Sequence, residues 1–120
     1  NALNQPAANQ MQYLKQLIET RCSNDRIPDQ HLVLDKQHKA SEYIAALKCQ
    51  KNKLVMFYMP VAKAIQIDLS WFESPIIKIE WFEPSRGKIF SRETMKKQNQ
   101  MTFTPPKSAY LKDWVLIVSY

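Results

Sequence analysis

Two kinds of side chain in this 120-residue sequence could do chemistry: a set of carboxylates and a pool of aromatics. The carboxylates are Asp68, Glu73, Glu80, Glu83 and Asp113. Two such groups about 5–10 Å apart in a cleft would suffice for acid–base cleavage of a glycosidic bond. Asp68 and Glu80, however, fall at outward positions of alternating strands, and Asp113 opens a strand, so solvated or turn-capping roles are expected. No Ser-His-Asp or Cys-His arrangement has a supporting context. His31 and His38 share no metal-ligand spacing with the cysteines or with each other. The expectation is therefore no catalytic residue, no metal site and no cofactor.

The aromatics allow binding. Flat indole and phenol rings pack on the apolar C–H faces of sugars, so an exposed row of them would mark a carbohydrate surface. The pool is Tyr58, Trp71, Phe72, Trp81, Phe82 and Tyr110. In IIKIEWF (76–82), Ile77, Ile79 and Trp81 share one face, while Lys78, Glu80 and Phe82 share the other. Trp81 is thus expected in the core, and Phe82 exposed or covered by another domain. Trp71 follows Ser70 at a strand end, where exposure is expected. Trp114 opens a strand apolar on both faces and reads as core. Trp71, Phe82 and Arg86 are the expected ligand contacts, with polysaccharide as the possible partner.

The elements that would hold these residues follow from periodicity. Ala7, Met11, Leu14 and Ile18 form one apolar stripe, widened by Tyr13 and Leu17, which predicts a helix over residues 6–20 with Pro6 in its first turn. Beyond Pro28 the period changes to two. Strands are predicted at 32–35, 42–49, 53–59, 64–69, 76–83, 87–92, 101–104 and 114–120. About eight short strands after one amphipathic helix read as an all-β antiparallel sandwich. KLVMFYM (53–59) and WVLIV (114–118) are apolar on both faces and need cover on both sides. The helix could cover one of them and an absent domain the other. Pro84-Ser85-Arg86-Gly87 reads as a type I turn closing a hairpin, with Gly87, the single glycine, in the left-handed region as a bulge residue.

Composition excludes several classes. No apolar run approaches the ~20 residues that cross a membrane. The net charge is +6, but the cations are scattered, Lys96-Lys97 being the only adjacent pair. No recognition helix, ribonucleoprotein sheet or zinc finger accompanies them, so no nucleic-acid partner is expected. Cys22 and Cys49 are too few for a disulfide scaffold, and buried free thiols are the expectation, with a single bridge as the alternative in a secreted parent. The opening NALNQPAANQ has neither an initiator Met nor a signal-peptide pattern, which suggests a fragment of a longer protein.

Several landmarks occur in order: PAANQMQYLKQLIETR (6–21), RIPDQ (26–30), MFYMPVAKAIQIDLS (56–70), IEWFEPSRGKI (79–89), FTPP (103–106) and DWVLIV (113–118). This series resembles the C-terminal β-domain of bacterial apiosidase-like glycoside hydrolases, whose catalytic domain is a (β/α)8 barrel. That β-domain carries the name of a collagen-binding domain. The departures lie in turns: His31, Ala62 and the glycine-free DKQHKAS (35–41) replace family Ser and Gly positions, and Arg86 is shifted by one place. The resemblance implies a helix at 1–25 at the junction with a missing catalytic barrel, and a β-sandwich accessory domain at 26–120. It implies a non-catalytic chain whose partner is its own barrel, and a parent exported to the periplasm, cell surface or medium. The rival from another class is an autonomous binding module for polysaccharide or collagen.

Overall fold

The computed structural model describes residues 4–36, 39–107 and 113–120, with backbone alone for 4–10. Tyr110 and His38 lie outside the described residues. The helix, α1 (Asn4–Arg21), precedes β1 (Ile27–Pro28), β2 (Ala45–Cys49), β3 (Leu54–Met59), β4 (Ile65–Asp68), β5 (Ile76–Glu83), β6 (Lys88–Lys96), β7 (Gln100–Phe103) and β8 (Trp114–Ser119). Six strands form one antiparallel sheet in the order β1-β2-β3-β8-β5-β6, and β4 pairs with β7 in a second. The fold is the expected antiparallel β-sandwich with an N-terminal helix.

The two strands that refuse to alternate, β3 and β8, are central neighbours, paired from Leu54↔Ser119 to Met59↔Trp114. One face of the large sheet carries Val55, Phe57, Ile77, Ile79, Leu116 and Val118 and packs on Ile65, Ile67 and Phe103 of the small sheet. The opposite face carries Leu54, Met56, Phe82, Val115 and Ile117 and packs under Leu17 of α1, with Tyr13, Leu14 and Ile18 alongside. The same helix covers both strands, so neither depends on another domain for burial. This replaces the expectation that an absent domain covers one of them. Fully apolar strands are the chemical consequence of a sheet with a roof on each side.

The buried side of α1 is rotated from the predicted stripe. Tyr13, Leu14, Leu17 and Ile18 face the sheet, whereas Met11 is 72% exposed. The cysteines are also corrected: Cys22, just beyond the last helical turn, is bonded to Cys49 at the end of β2, and neither thiol is free. The Cα atoms lie 5.5 Å apart, inside the usual range for a disulfide. Closing a loop of this length stabilises by about 3.5 kcal/mol in the chain-entropy account.

The strand expected at 32–35 is absent. Gln30–Leu32 forms a single 3-10 turn, and only Val33 bridges to Ile67. Side chains take over the ladder here. Gln30 Nε2 donates to the Ile44 carbonyl at 2.8 Å, and the Ala46 amide donates to Gln30 Oε1 at 2.7 Å. Asp35 Oδ2 accepts from the Gln66 amide at 2.7 Å. In its place the sequence reading missed β1, a two-residue edge strand. At the other edge β6 runs to Lys96, and its mostly exposed, charged side chains discourage pairing with other chains.

Candidate functional site

Three regions bring polar or aromatic groups together, and each is set by the helix or by a loop rather than by a strand alone. The first is the β5–β6 hairpin. The Gly87 amide donates to the Glu83 carbonyl at 2.8 Å, and Gly87 adopts φ 67°. The left-handed turn residue is as expected, but the bulge lies further along β6, between the pairs Trp81↔Ser91 and Phe82↔Ile89. A second constraint on Gly87 comes from far away in sequence. A Cβ there would sit 2.6 Å from Cδ1 of Tyr13, so the helix ring rests directly on the turn. Arg86 beside it is exposed, its Nε 3.6 Å from Glu83 Oε2.

The second region is the contact between α1 and β5. Glu80 is 1% exposed, not solvated as its outward strand position implied. Both Arg21 guanidinium ends reach its carboxylate at 3.0 Å, and Arg92 Nε reaches Oε2 at 2.9 Å from the neighbouring strand. The Arg21 hydrogen bonds, assisted by Arg92 and opposed by desolvation, hold the Glu80 carboxyl down to about 2. Phe82 is likewise 5% exposed beneath the helix, so the expectation of a ring that is exposed or covered by another domain is corrected: this chain's own helix covers it. Strand alternation places Glu80 and Phe82 on the outer face of the sheet, and α1 turns that outer face into a second core.

The third region is an apolar groove of about 440 Å³ beside α1, over β2, β3 and β8. Leu14 and Ile18 form one wall, Leu47, Met56 and Val115 the floor, and Tyr43 the far rim, 43% exposed. Tyr58 also lines it, and its hydroxyl donates to Asp113 Oδ2 at 3.1 Å. Burial, together with the Asp113 charge and hydrogen bond, pushes the Tyr58 phenol up to about 12. The groove therefore offers apolar contact area, and the Tyr58 phenol keeps its proton near neutrality. Sequence reading missed it, although the two-faced run KLVMFYM was its trace.

The proposed ligand contacts are dispersed. Trp71 packs edge to face on Phe72 at 4.4 Å and lies 6.4 Å from Tyr120, just past the end of β8. Arg86 follows β5 at the end where Phe82 pairs with Val115 near the start of β8. Trp71 and Arg86 thus lie at opposite ends of a six-residue strand, roughly 17 Å long. Trp81 and Trp114 are core, as read from the sequence. Of the carboxylates named from the sequence, Glu80 is held by two arginines and Asp113 accepts from Tyr58. Among the described residues no group of three or more His, Cys, Asp or Glu could hold a metal, and no helix is long and apolar enough to cross a membrane.

Similarity to solved structures covers nearly all of this geometry. A chain described as a glycoside hydrolase superposes with TM-score 0.80 and 26% identity over 98% of this chain. A glycoside hydrolase family 5 structure from Bacteroides vulgatus ATCC 8482 superposes with TM-score 0.81 and 29% identity over 99%. The match occupies 26% and 25% of those chains, so this chain spans about a quarter of their length. No curated protein matches. The family model described as "Putative collagen-binding domain of a collagenase" matches residues 27–119, from β1 to the end of β8, and the chain belongs to that family.

Proposed function

We propose that this chain is a non-catalytic, C-terminal accessory domain of a bacterial glycoside hydrolase, with residues 1–25 at the junction and 26–120 as the sandwich. Its work is to pack on the catalytic barrel of the longer protein and stabilise it. The observation that carries this reading is the coverage: almost the whole chain matches about a quarter of two glycoside hydrolase chains. Two of the candidate acids are already engaged, Glu80 by two arginines and Asp113 by the Tyr58 hydroxyl, which supports a non-catalytic reading. The groove beside α1 supplies a packing surface, with Leu14 and Ile18 on its wall. The Cys22–Cys49 bond supports an exported parent, because such bonds persist in oxidising compartments.

The test has two parts. Sequencing the gene around the region encoding this chain should reveal a barrel with paired acidic residues. In that longer protein, Tyr43→Glu at the groove rim should lower the melting temperature of the catalytic domain and shorten its active half-life. An unchanged catalytic domain, or hydrolysis of glycosides by the 120-residue chain alone, would overturn the proposal.

A further inference from the structure

On the flank of α1 away from the groove, the helix is fastened to the β5–β6 hairpin at two places. Tyr13 rests on Gly87 of the turn, and Arg21 binds Glu80 with both ends of its guanidinium. Tyr13 and Arg21 stand two helical turns apart, a span of about 12 Å. Between them lies a cleft of about 280 Å³, lined by Tyr13, Gln16, Leu17 and Thr20 of the helix and by Phe82 and Gly87 of the hairpin. Positions 13, 16, 17 and 20 recur at three- and four-residue spacing and so share one flank of the helix. Leu14 and Ile18, which wall the groove, belong to the other flank.

The lining combines an apolar floor with a polar, uncharged rim. Leu17 and Phe82 are buried, and Tyr13 is half-buried beside them. Gln16 and Thr20 are exposed at the mouth. Thr20 Oγ1 donates to the Gln16 and Leu17 carbonyls at 2.9 and 3.1 Å, which engages its proton and leaves its lone pairs to accept. The Gln16 side-chain amide makes no hydrogen bond among the described residues, so its N–H donors and its oxygen are open to a ligand. No charged side chain is among the described residues lining the cleft. The fastenings at its two ends set the walls before a ligand arrives, which reduces the ordering cost of binding.

We infer that this cleft binds a ring of a neutral polysaccharide. The apolar C–H face of the sugar packs on Leu17, Phe82 and Tyr13, and its hydroxyls exchange hydrogen bonds with Gln16 and Thr20. A sugar acid would bring a charge that no lining cation meets, and a hydrocarbon would desolvate Gln16 and Thr20 without replacing their water. An extended peptide needs a free strand edge for its backbone, but β5 is paired on both sides, with β6 and with β8. Of the three contacts expected from the sequence, Phe82 alone lines this cleft. It lies across the helix from the groove, so this inference and the accessory-domain proposal can fail separately.

The test is a titration of the isotope-labelled chain with cellohexaose, mannohexaose and xylohexaose, followed by amide chemical shifts. The comparators are oligogalacturonate and a Pro-Pro-Gly repeat peptide. At least one neutral oligosaccharide should shift the amides of Gln16, Thr20 and Gly87, with a dissociation constant on the order of 1 mM, and neither comparator should do so. Gln16→Leu removes the amide while keeping side-chain bulk and helix propensity. It should weaken binding about fivefold with near-ultraviolet circular dichroism unchanged, whereas Gln12→Leu, outside the cleft, should bind as the parent does. Shifts confined to other surfaces, or none with any of the three sugars, would overturn the site. So would an equal response to either comparator, an unaffected Gln16→Leu variant, or an equal loss in Gln12→Leu.

Discussion

The two faces of the large sheet are built by different means. Toward the small sheet the contact is apolar, and dry in that sense, mixing aromatic and aliphatic side chains: Phe57, Ile65, Ile67, Leu69, Ile77, Ile79 and Phe103 are buried. Toward α1 the contact mixes apolar packing with three specific fastenings, namely the Cys22–Cys49 bond, the Arg21–Glu80–Arg92 cluster and the Tyr13 ring on Gly87. A lone helix lying across a sheet buries less area than a second sheet does, so its position depends on directional contacts. Those contacts also leave a groove beside the helix where apolar side chains meet solvent. The dry face holds the domain together, and the helix face holds an attachment in place.

That contrast can be broken from either side. Phe57→Ala on the dry face should cost about 3–5 kcal/mol and lower protection against hydrogen exchange in both sheets together. The double replacement Cys22→Ala/Cys49→Ala should cost about 3.5 kcal/mol, with exchange rising first in α1 and β2 and later in β4 and β7. If all elements opened at once in that variant, the two faces would not be separable units. Both effects are readable from urea midpoints and residue-resolved exchange.

Glu80 sharpens the comparison through pH. Its folded pKa, about 2, lies below the ordinary carboxylate value, so its ionised form stabilises the fold. That contribution, roughly 3 kcal/mol, is fully present above about pH 4.5 and is lost as pH falls through the folded value near 2. Glu80→Gln should therefore be clearly less stable than the parent at pH 6, and the gap should close toward pH 2. A gap that stays constant across this range would show that the cluster contributes packing and not charge.

The smallest effect belongs to Gly87. Gly87→Ala meets both a positive φ and the Tyr13 ring, and should cost about 1–3 kcal/mol. Adding Tyr13→Ala should return the part due to the ring and leave the part due to φ, so the double mutant separates the two. Purely additive losses would mean that the helix does not press on the turn.

Much of this architecture was legible beforehand because it follows from local periodicity. Alternation in Ala64 to Leu69 marked the buried Ile65 and Ile67, and the positive-φ need of a tight turn marked Gly87. The aliphatic faces of β5 and β8, and Trp81 and Trp114 as core, were read the same way. What alternation reports is which residues share a face, not what stands opposite that face. Glu80 and Phe82 were placed correctly on the outer side of β5, but Glu80 was expected in solvent and Phe82 exposed or under another domain, because the roof over them is a helix about 60 residues earlier in the chain. The cysteine pair was open for the same reason, since spacing in sequence carries no information on the 5.5 Å between Cα atoms. Gln16 and Phe82 come from separate segments, and no local pattern joins them. The sequence by itself determined the helix, the longer strands, the turn glycine and the family, because these depend on the order of neighbouring side chains. Only the tertiary structure decided which charges are paired, which aromatics are reachable and where the groove lies, because each depends on burial by residues distant along the chain.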